Sequence, residues 1–369
     1  MGLDGMKSGP NDNAEVIIMR ENKAVVEQKC EQIIDTLIAI GTEGTNILLN
    51  MNIWDWSQGV GLYGIYKYYK YSGKKKYLDY LIEWFDSKMP DEDKIMKNVN
   101  TMAPLSTMAH LYEETGNEKY RDFCIRWAEW VLHEMPRTDE GGLQHLTIDS
   151  LNTQQLWADT VFMTALSMAK IGQITGNQAY KDEAIKQFLI HIKYLQDPET
   201  GLLFHGWTFD GHHNFGKALW CRGNCWFTAA SIDMTEYIDI PEPDKTAIFN
   251  GYRKQCAALK KYQDASGLFH TLVDDPTAYL ESSGSAGFIY GLQKGVASGV
   301  LDDSYKAVCE KGIDGLWKEI GPDGIVLNAS YGTVVHMTKD YYKQIRLTST
   351  GYGQSLTLLA LTEYLCRQK

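Results

Sequence analysis

The chain has 369 residues, 44% hydrophobic and 22% charged, a balance that excludes a disordered protein and allows one large domain or two ordinary ones. Aromatic residues reach 12%, with 10 Trp and 22 Tyr, and the formal net charge is −11. A non-specific nucleic-acid binder needs a basic face against phosphates, so that class is excluded. A small anionic ligand is not, because local field rather than net charge sets a site.

At the start, Met1-Gly2-Leu3-Asp4-Gly5-Met6 lacks the basic flank and apolar core of a signal peptide, and no apolar run approaches a membrane span. Seven scattered Cys read as reduced thiols. These features predict a cytoplasmic protein that needs no membrane, with residues 1–20 as a tail and 21–369 as one domain. Cys221 and Cys225 lie one helical turn apart, with no second pair to complete a metal site. His-Glu-x-x-His, a Walker loop and a nucleophile elbow are absent, so neither metal nor cofactor is expected.

A repeat organises the rest. Gly73, Tyr77 and Asp79 recur as Gly116, Tyr120 and Asp122 and as Gly176, Tyr180 and Asp182. Gly at such a point suits the left-handed stop of one helix just before the next. A second kind of turn, at Gly141, Gly201, Gly267 and Gly324, leads into short extended runs.

In chain order, helices with one apolar stripe are expected at Val25–Ile40, 76–89, Tyr120–Val131, Ile185–Leu195, 245–263 and 303–320. Between them lie stretches apolar or small on every side: Trp54–Tyr71, Asn100–Glu114, Leu156–Thr175, Leu219–Tyr237, Ser282–Gly299 and Thr350–Cys366. Six outer and six buried inner helices in alternation predict an all-α fold, a toroid of helical hairpins or (α/α)6 barrel. The outer-to-inner links are long, and long links carry function. Parallel inner helices would present six N-termini, each partly positive, at that same mouth.

The mouth should then hold Trp54, Asp55, Trp56, Gln58, Asn98, Asn100, His145, Asp149, Trp157, Asp159, His205, Trp207, His212, His213, Trp220, Arg222 and Trp226, with His270, Glu281 and residues around Tyr331 and Tyr352. Aromatic walls with few charges suit the apolar faces of sugar rings. Asp159 stands out within Leu156-Trp157-Ala158-Asp159-Thr160-Val161-Phe162-Met163. Read as the second turn of a buried helix, it should have its pKa raised by burial toward the range of a general acid, unless it is a capping or Arg-paired structural group. Gly59-Val-Gly61-Leu-Tyr-Gly64 mimics a dinucleotide fingerprint, but it lies within a helix with no preceding strand and reads as close packing.

The Asp159 segment, with Gly201-Leu-Leu-Phe-His205-Gly206-Trp207, Trp220-Cys-Arg222-Gly-Asn-Cys-Trp226 and Glu281-Ser-Ser-Gly-Ser-Ala286, resembles glycoside hydrolase family 105. These are the unsaturated rhamnogalacturonyl hydrolases, related to the family 88 unsaturated glucuronyl hydrolases. The resemblance implies an (α/α)6 barrel that removes a non-reducing-end 4,5-unsaturated uronic acid from lyase-generated oligosaccharides by hydrating the double bond. It puts the catalytic Asp on Asp159 and substrate contacts on Trp56, Asn100, His145, Trp157, His205, Trp207, Trp220, Arg222 and Trp226.

Two departures from the family pattern stand out. Where a second carboxylate is expected, this chain has Asn100, and a basic side chain carried by some relatives beside His145 is missing. A conventional inverting glycosidase would need that second carboxylate, with Asp55, Asp149 and Asp210 as candidates. A sugar epimerase and a non-catalytic helical-repeat sugar binder also fit such a barrel.

Overall fold

Gly73, Gly116 and Gly176 each end a helix in the left-handed conformation, at φ 67°, 67° and 69°, where a Cβ would be strained. The computed structural model describes residues 21–40 and 50–368, and the tail expected at 1–20 lies outside them. The punctuation divides the chain into α1 (Lys23–Ile40), α2 (Trp56–Ser72), α3 (Lys75–Lys88), α4 (Ala103–Thr115), α5 (Glu118–His133) and α6 (Leu166–Thr175). After these come α7 (Gln178–Leu195), α8 (Cys221–Tyr237), α9 (Asp244–Tyr262), α10 (Ser282–Ala297), α11 (Lys306–Lys318), the short α12 (Lys339–Lys343) and α13 (Gly351–Arg367).

The helices α2, α4, α6, α8, α10 and α13 pack each on the next, and α13 closes back on α2. They are buried almost all round, whereas α3 and α5 bury one stripe each, Tyr77–Phe85 and Tyr120–Val131. This is the expected (α/α)6 barrel, with the outer helices shielding an inner ring. Among the described residues no helix is long and apolar enough to cross a membrane.

Small residues let the ring close. A Cβ on Gly287 would lie 2.6 Å from Cys225 Sγ, and one on Gly291 would lie 2.4 Å from the Thr228 carbonyl oxygen, so α10 and α8 touch backbone to backbone. Gly291→Ala should therefore destabilise the fold by about 1–3 kcal/mol through overpacking, read as a lower Tm. An unchanged Tm would contradict the close approach.

One sequence expectation is corrected. Leu156–Thr175 is not a single helix: Gln155–Trp157 forms a strand, β1, paired antiparallel with β2 (Gly206–Thr208). The helix begins only at Thr160, through a π turn over Val161–Ala165. A buried strand and a buried helix carry the same unbroken apolar run, and periodicity cannot separate them. Two further ribbons, β3 (Phe269–His270) with β4 (Leu280–Glu281) and β5 (Ala329–Ser330) with β6 (Leu347–Thr348), also lie in the long links.

Near the C-terminal end of α8, at the far end of the ring from the mouth, Asp233 is fully buried. Tyr63 and Tyr290 hydroxyls donate to its Oδ2 at 2.7 and 2.6 Å, and Lys67 and Lys294 stand 3.7 and 3.4 Å from Oδ1. Cations there face the negative ends of the inner helices, which stabilises both.

Candidate active site

The β1–β2 ribbon builds the centre. Trp157 pairs with Gly206, and the Ala158 amide donates to the His205 carbonyl at 2.9 Å, which brings Asp159 beside His205. Asp159 lies in the turn that opens the α6 helix, with its carbonyl accepting from the Phe162 and Met163 amides at 3.1 and 3.0 Å. It is thus at the helix start and not in its second turn. Its side chain is 18% exposed and lines a cavity of about 520 Å³.

Trp226 Nε1 donates to Asp159 Oδ1 at 3.0 Å, and His205 Nε2 stands 3.4 Å from Oδ2. The expected rise in the Asp159 pKa is reversed. Burial pushes the carboxyl up, but the His205 contact, together with His145 and Arg222, brings it below the ordinary value. Burial also holds the His205 and His145 imidazoles down, His145 at about 3, so both are neutral near pH 7. What keeps Asp159 ionised there is the Trp226 N–H on Oδ1, the His205 imidazole beside Oδ2 and the Arg222 charge.

Arg222, 1% exposed, is held more tightly than a free anion clamp. Nη1 donates to the Ser330 carbonyl at 2.6 Å, to Ser330 Oγ and to Ser283 Oγ at 3.2 Å, and Nη2 donates to the Tyr331 carbonyl at 2.9 Å. Its guanidinium lies between the Trp220 and Tyr352 rings, 4.4 and 4.6 Å from their centroids. Both terminal nitrogens are therefore engaged, and Arg222 acts on a ligand chiefly through its charge.

Glu281 is a fully buried cap: Oε1 accepts from the Gly284 amide at 2.6 Å, and Oε2 accepts from the Ser283 amide and hydroxyl at 2.8 and 2.6 Å. Asp55 caps α2 by accepting from the Trp56 amide at 2.8 Å. All six inner N-termini reach this end, but two of the six are already faced by the protein's own carboxylates. The anion-attracting field is correspondingly reduced.

Trp56, Asn100, His145, Trp157, Asp159, Trp220 and Arg222 line the cavity, with Asp55 and Asp149. Trp56 stacks on Tyr352 at 4.7 Å, and His145 stacks on Trp157 at 4.3 Å. Three expected contacts stand behind the wall. His205 and Trp226 touch Asp159 instead, and Trp207 packs on Tyr194 and Phe209. Trp54 is in the core against Trp84, Phe85, Phe123 and Trp127, because its ring points away from the start of α2. His270 bonds the Ala278 carbonyl and lies outside the cavity wall, as does Asp210.

Sequence reasoning missed Phe215, held at φ 51°, and the 147–152 loop apart from Asp149, while the 331–335 loop lies at the rim where residues around Tyr331 were expected. The signal in the sequence was the apolar side chains of these loops, Ile148, Leu151 and Val334, all exposed. Among the described residues no three His, Cys, Asp or Glu side chains are grouped to hold a metal.

The buried imidazoles predict acid sensitivity. Burial pushes His110 and His145 down to about 3 and His191 to about 4. The native state leaves them neutral while the unfolded chain protonates them below about pH 6.5. Stability should therefore fall as pH drops from there toward 4, seen as a falling Tm. A flat Tm over that window would contradict the assignment.

The same barrel occurs in known proteins. The family model for Glycosyl Hydrolase Family 88 matches residues 29–368. The chain is 34% identical over 313 residues to the unsaturated rhamnogalacturonyl hydrolase YesR of Bacillus subtilis, covering 83% of this chain and 89% of that protein. A solved structure from Klebsiella pneumoniae, described as a possible member of the GH105 family, superposes with a TM-score of 0.90 at 42% identity, covering 94% of each chain. One from Salmonella enterica, described in the same terms, gives 0.90 at 40% identity, covering 100% of this chain and 97% of that one. With that match spanning the whole barrel and the Asp159 cavity at its mouth, the chain belongs to the glycosyl hydrolase 88/105 family and is a glycosidase.

Proposed function

We propose that this glycosidase removes a non-reducing-end 4,5-unsaturated uronic acid from lyase-generated oligosaccharides, with Asp159 as acid and then base. The observation that carries the reading is a buried carboxylate, Asp159, in an aromatic-walled cavity, its Oδ1 accepting from Trp226 Nε1 at 3.0 Å and its Oδ2 3.4 Å from His205 Nε2. The named activity of the Bacillus subtilis relative supports the substrate class.

With its pKa held low, Asp159 is ionised near pH 7 and must gain a proton before it can give one. A uronate bound in the same cavity adds a like charge that raises the Asp159 pKa, so substrate binding itself loads the acid. The proton then passes to C4, and positive charge develops at C5 and the ring oxygen. Asp159 takes a proton from water as that water bonds to C5. The hemiketal so formed breaks its C5–O5 bond to a C5 ketone, leaving a C1 hemiacetal that expels the aglycone. The Trp56, Trp157 and Trp220 rings would hold the sugar faces, and the Arg222 charge would favour the carboxylate.

Asp55 favours a second reading. It lines the cavity and is pushed up to about 6, by burial first, against the Trp56 amide and with help from Asp149. A protonated carboxyl there could serve direct inverting hydrolysis of a saturated glycoside. Incubation with unsaturated and saturated uronyl disaccharides separates the two. The main reading expects loss of the C4=C5 ultraviolet absorbance and no action on the saturated sugars, and the reverse result would replace it. Seven cysteines with no disulfide between them further support a reducing compartment, the cytoplasm, as its place of work.

A further inference from the structure

Tyr342 lies on α12, just past the 331–335 rim in sequence, and is fully buried against Trp220 and Leu272. Its hydroxyl accepts from the His336 amide at 3.1 Å and stands 2.8 Å from His205 Nδ1. On the other side of the same imidazole, Nε2 faces Asp159 Oδ2 at 3.4 Å. We infer that Tyr342 is a positioning residue of the reaction, its hydroxyl fixing His205 as the tautomer that carries its proton on Nε2, toward Asp159. The inference rests on the proposed role of Asp159.

The donor and acceptor inventory leads there. The His336 amide can only donate, so it occupies a lone pair of the Tyr342 oxygen and leaves the phenolic proton for His205 Nδ1. Burial keeps the tyrosine protonated, by pushing its pKa up, and keeps His205 neutral. A neutral imidazole that accepts at Nδ1 must donate at Nε2. Charged or titratable neighbours do not disturb this order: Asp159 favours a proton on Nε2, and Arg222 opposes a second proton on the ring.

The consequence falls on Asp159. Trp226 donates to Oδ1, and with its proton on Nε2 His205 presents an N–H toward Oδ2 at 3.4 Å, so the protein side of the carboxylate faces donors. An acidic proton can then sit only on the cavity side, where C4 of the sugar would lie. Without the Tyr342 hydroxyl, His205 can move its proton to Nδ1 and accept at Nε2. The Asp159 proton would then turn away from the substrate.

The test is nitrogen-15 NMR of histidine-labelled protein, with His205 assigned by its loss in His205→Gln. The wild type should show Nε2 protonated and Nδ1 bare at neutral pH. Tyr342→Phe should mix or reverse that state and lower kcat by about tenfold or more, with KM changed little, as wrong-tautomer histidines do. Tyr279→Phe, which removes a hydroxyl that donates to the Tyr342 carbonyl at 3.2 Å, should leave tautomer and kcat alone. A wild-type His205 protonated on Nδ1 or on both nitrogens overturns the inference even if Tyr342→Phe fails to fold. So does a folded Tyr342→Phe with wild-type tautomer and kcat. Failure of the proposed activity would appear separately, as a wild type that consumes no unsaturated disaccharide.

Discussion

Asp159→Asn should lower turnover of unsaturated uronyl disaccharides by about 10²–10⁴-fold, the range expected for loss of a general acid and base. The change is nearly isosteric, and the amide oxygen can still accept from Trp226 Nε1, so fold and sugar binding should survive. The new amide nitrogen would meet the His205 Nε2–H, donor against donor, unless the amide or the imidazole reorients. A small change in Tm is therefore expected beside the large loss of rate. Turnover within a few-fold of wild type would remove Asp159 from the chemistry.

Arg222→Met should both weaken binding and destabilise the protein. The guanidinium ties the head of α10, through Ser283, to the 330–333 segment, and it fills the gap between Trp220 and Tyr352. Hydrogen bonds from a charged donor contribute about 1.5–3 kcal/mol each, and Met would leave the Ser330 and Tyr331 carbonyls short of them. The same loss of positive charge should raise KM for an anionic sugar by roughly tenfold or more. Arg222→Lys should recover part of the KM and little of the Tm, because an ammonium cannot fork to two carbonyls while stacked between two rings. Wild-type Tm and KM in Arg222→Met would contradict both assignments.

The barrel was legible because its information is local. Gly73, Gly116 and Gly176 mark helix stops by a conformation other residues avoid, and the two kinds of apolar pattern separate outer from inner helices. Asp159 was legible as a carboxylate in an apolar run, but its setting was not. The β1–β2 pairing that moves it to the helix start joins segments far apart in sequence, and periodicity does not encode partners. Its pKa followed the same pattern, since burial can be guessed from neighbours in the chain while His205 and Trp226 come from other elements. Trp54 and Trp56 differ only in which side of the α2 start they face, so one enters the core and the other the cavity. Tyr342 bears on the site through one hydroxyl and a contact 137 residues away, with no spacing to betray it.

The central claim is that Asp159 protonates C4 before any bond to the aglycone breaks. The most direct measurement is proton NMR of the reaction in deuterated water, beside the ultraviolet absorbance. Hydration predicts that aglycone release never runs ahead of absorbance loss, that one deuterium enters at C4 on a single face, and that both events disappear in Asp159→Asn. Release of the aglycone first, with free unsaturated uronic acid accumulating while the absorbance persists, would contradict it.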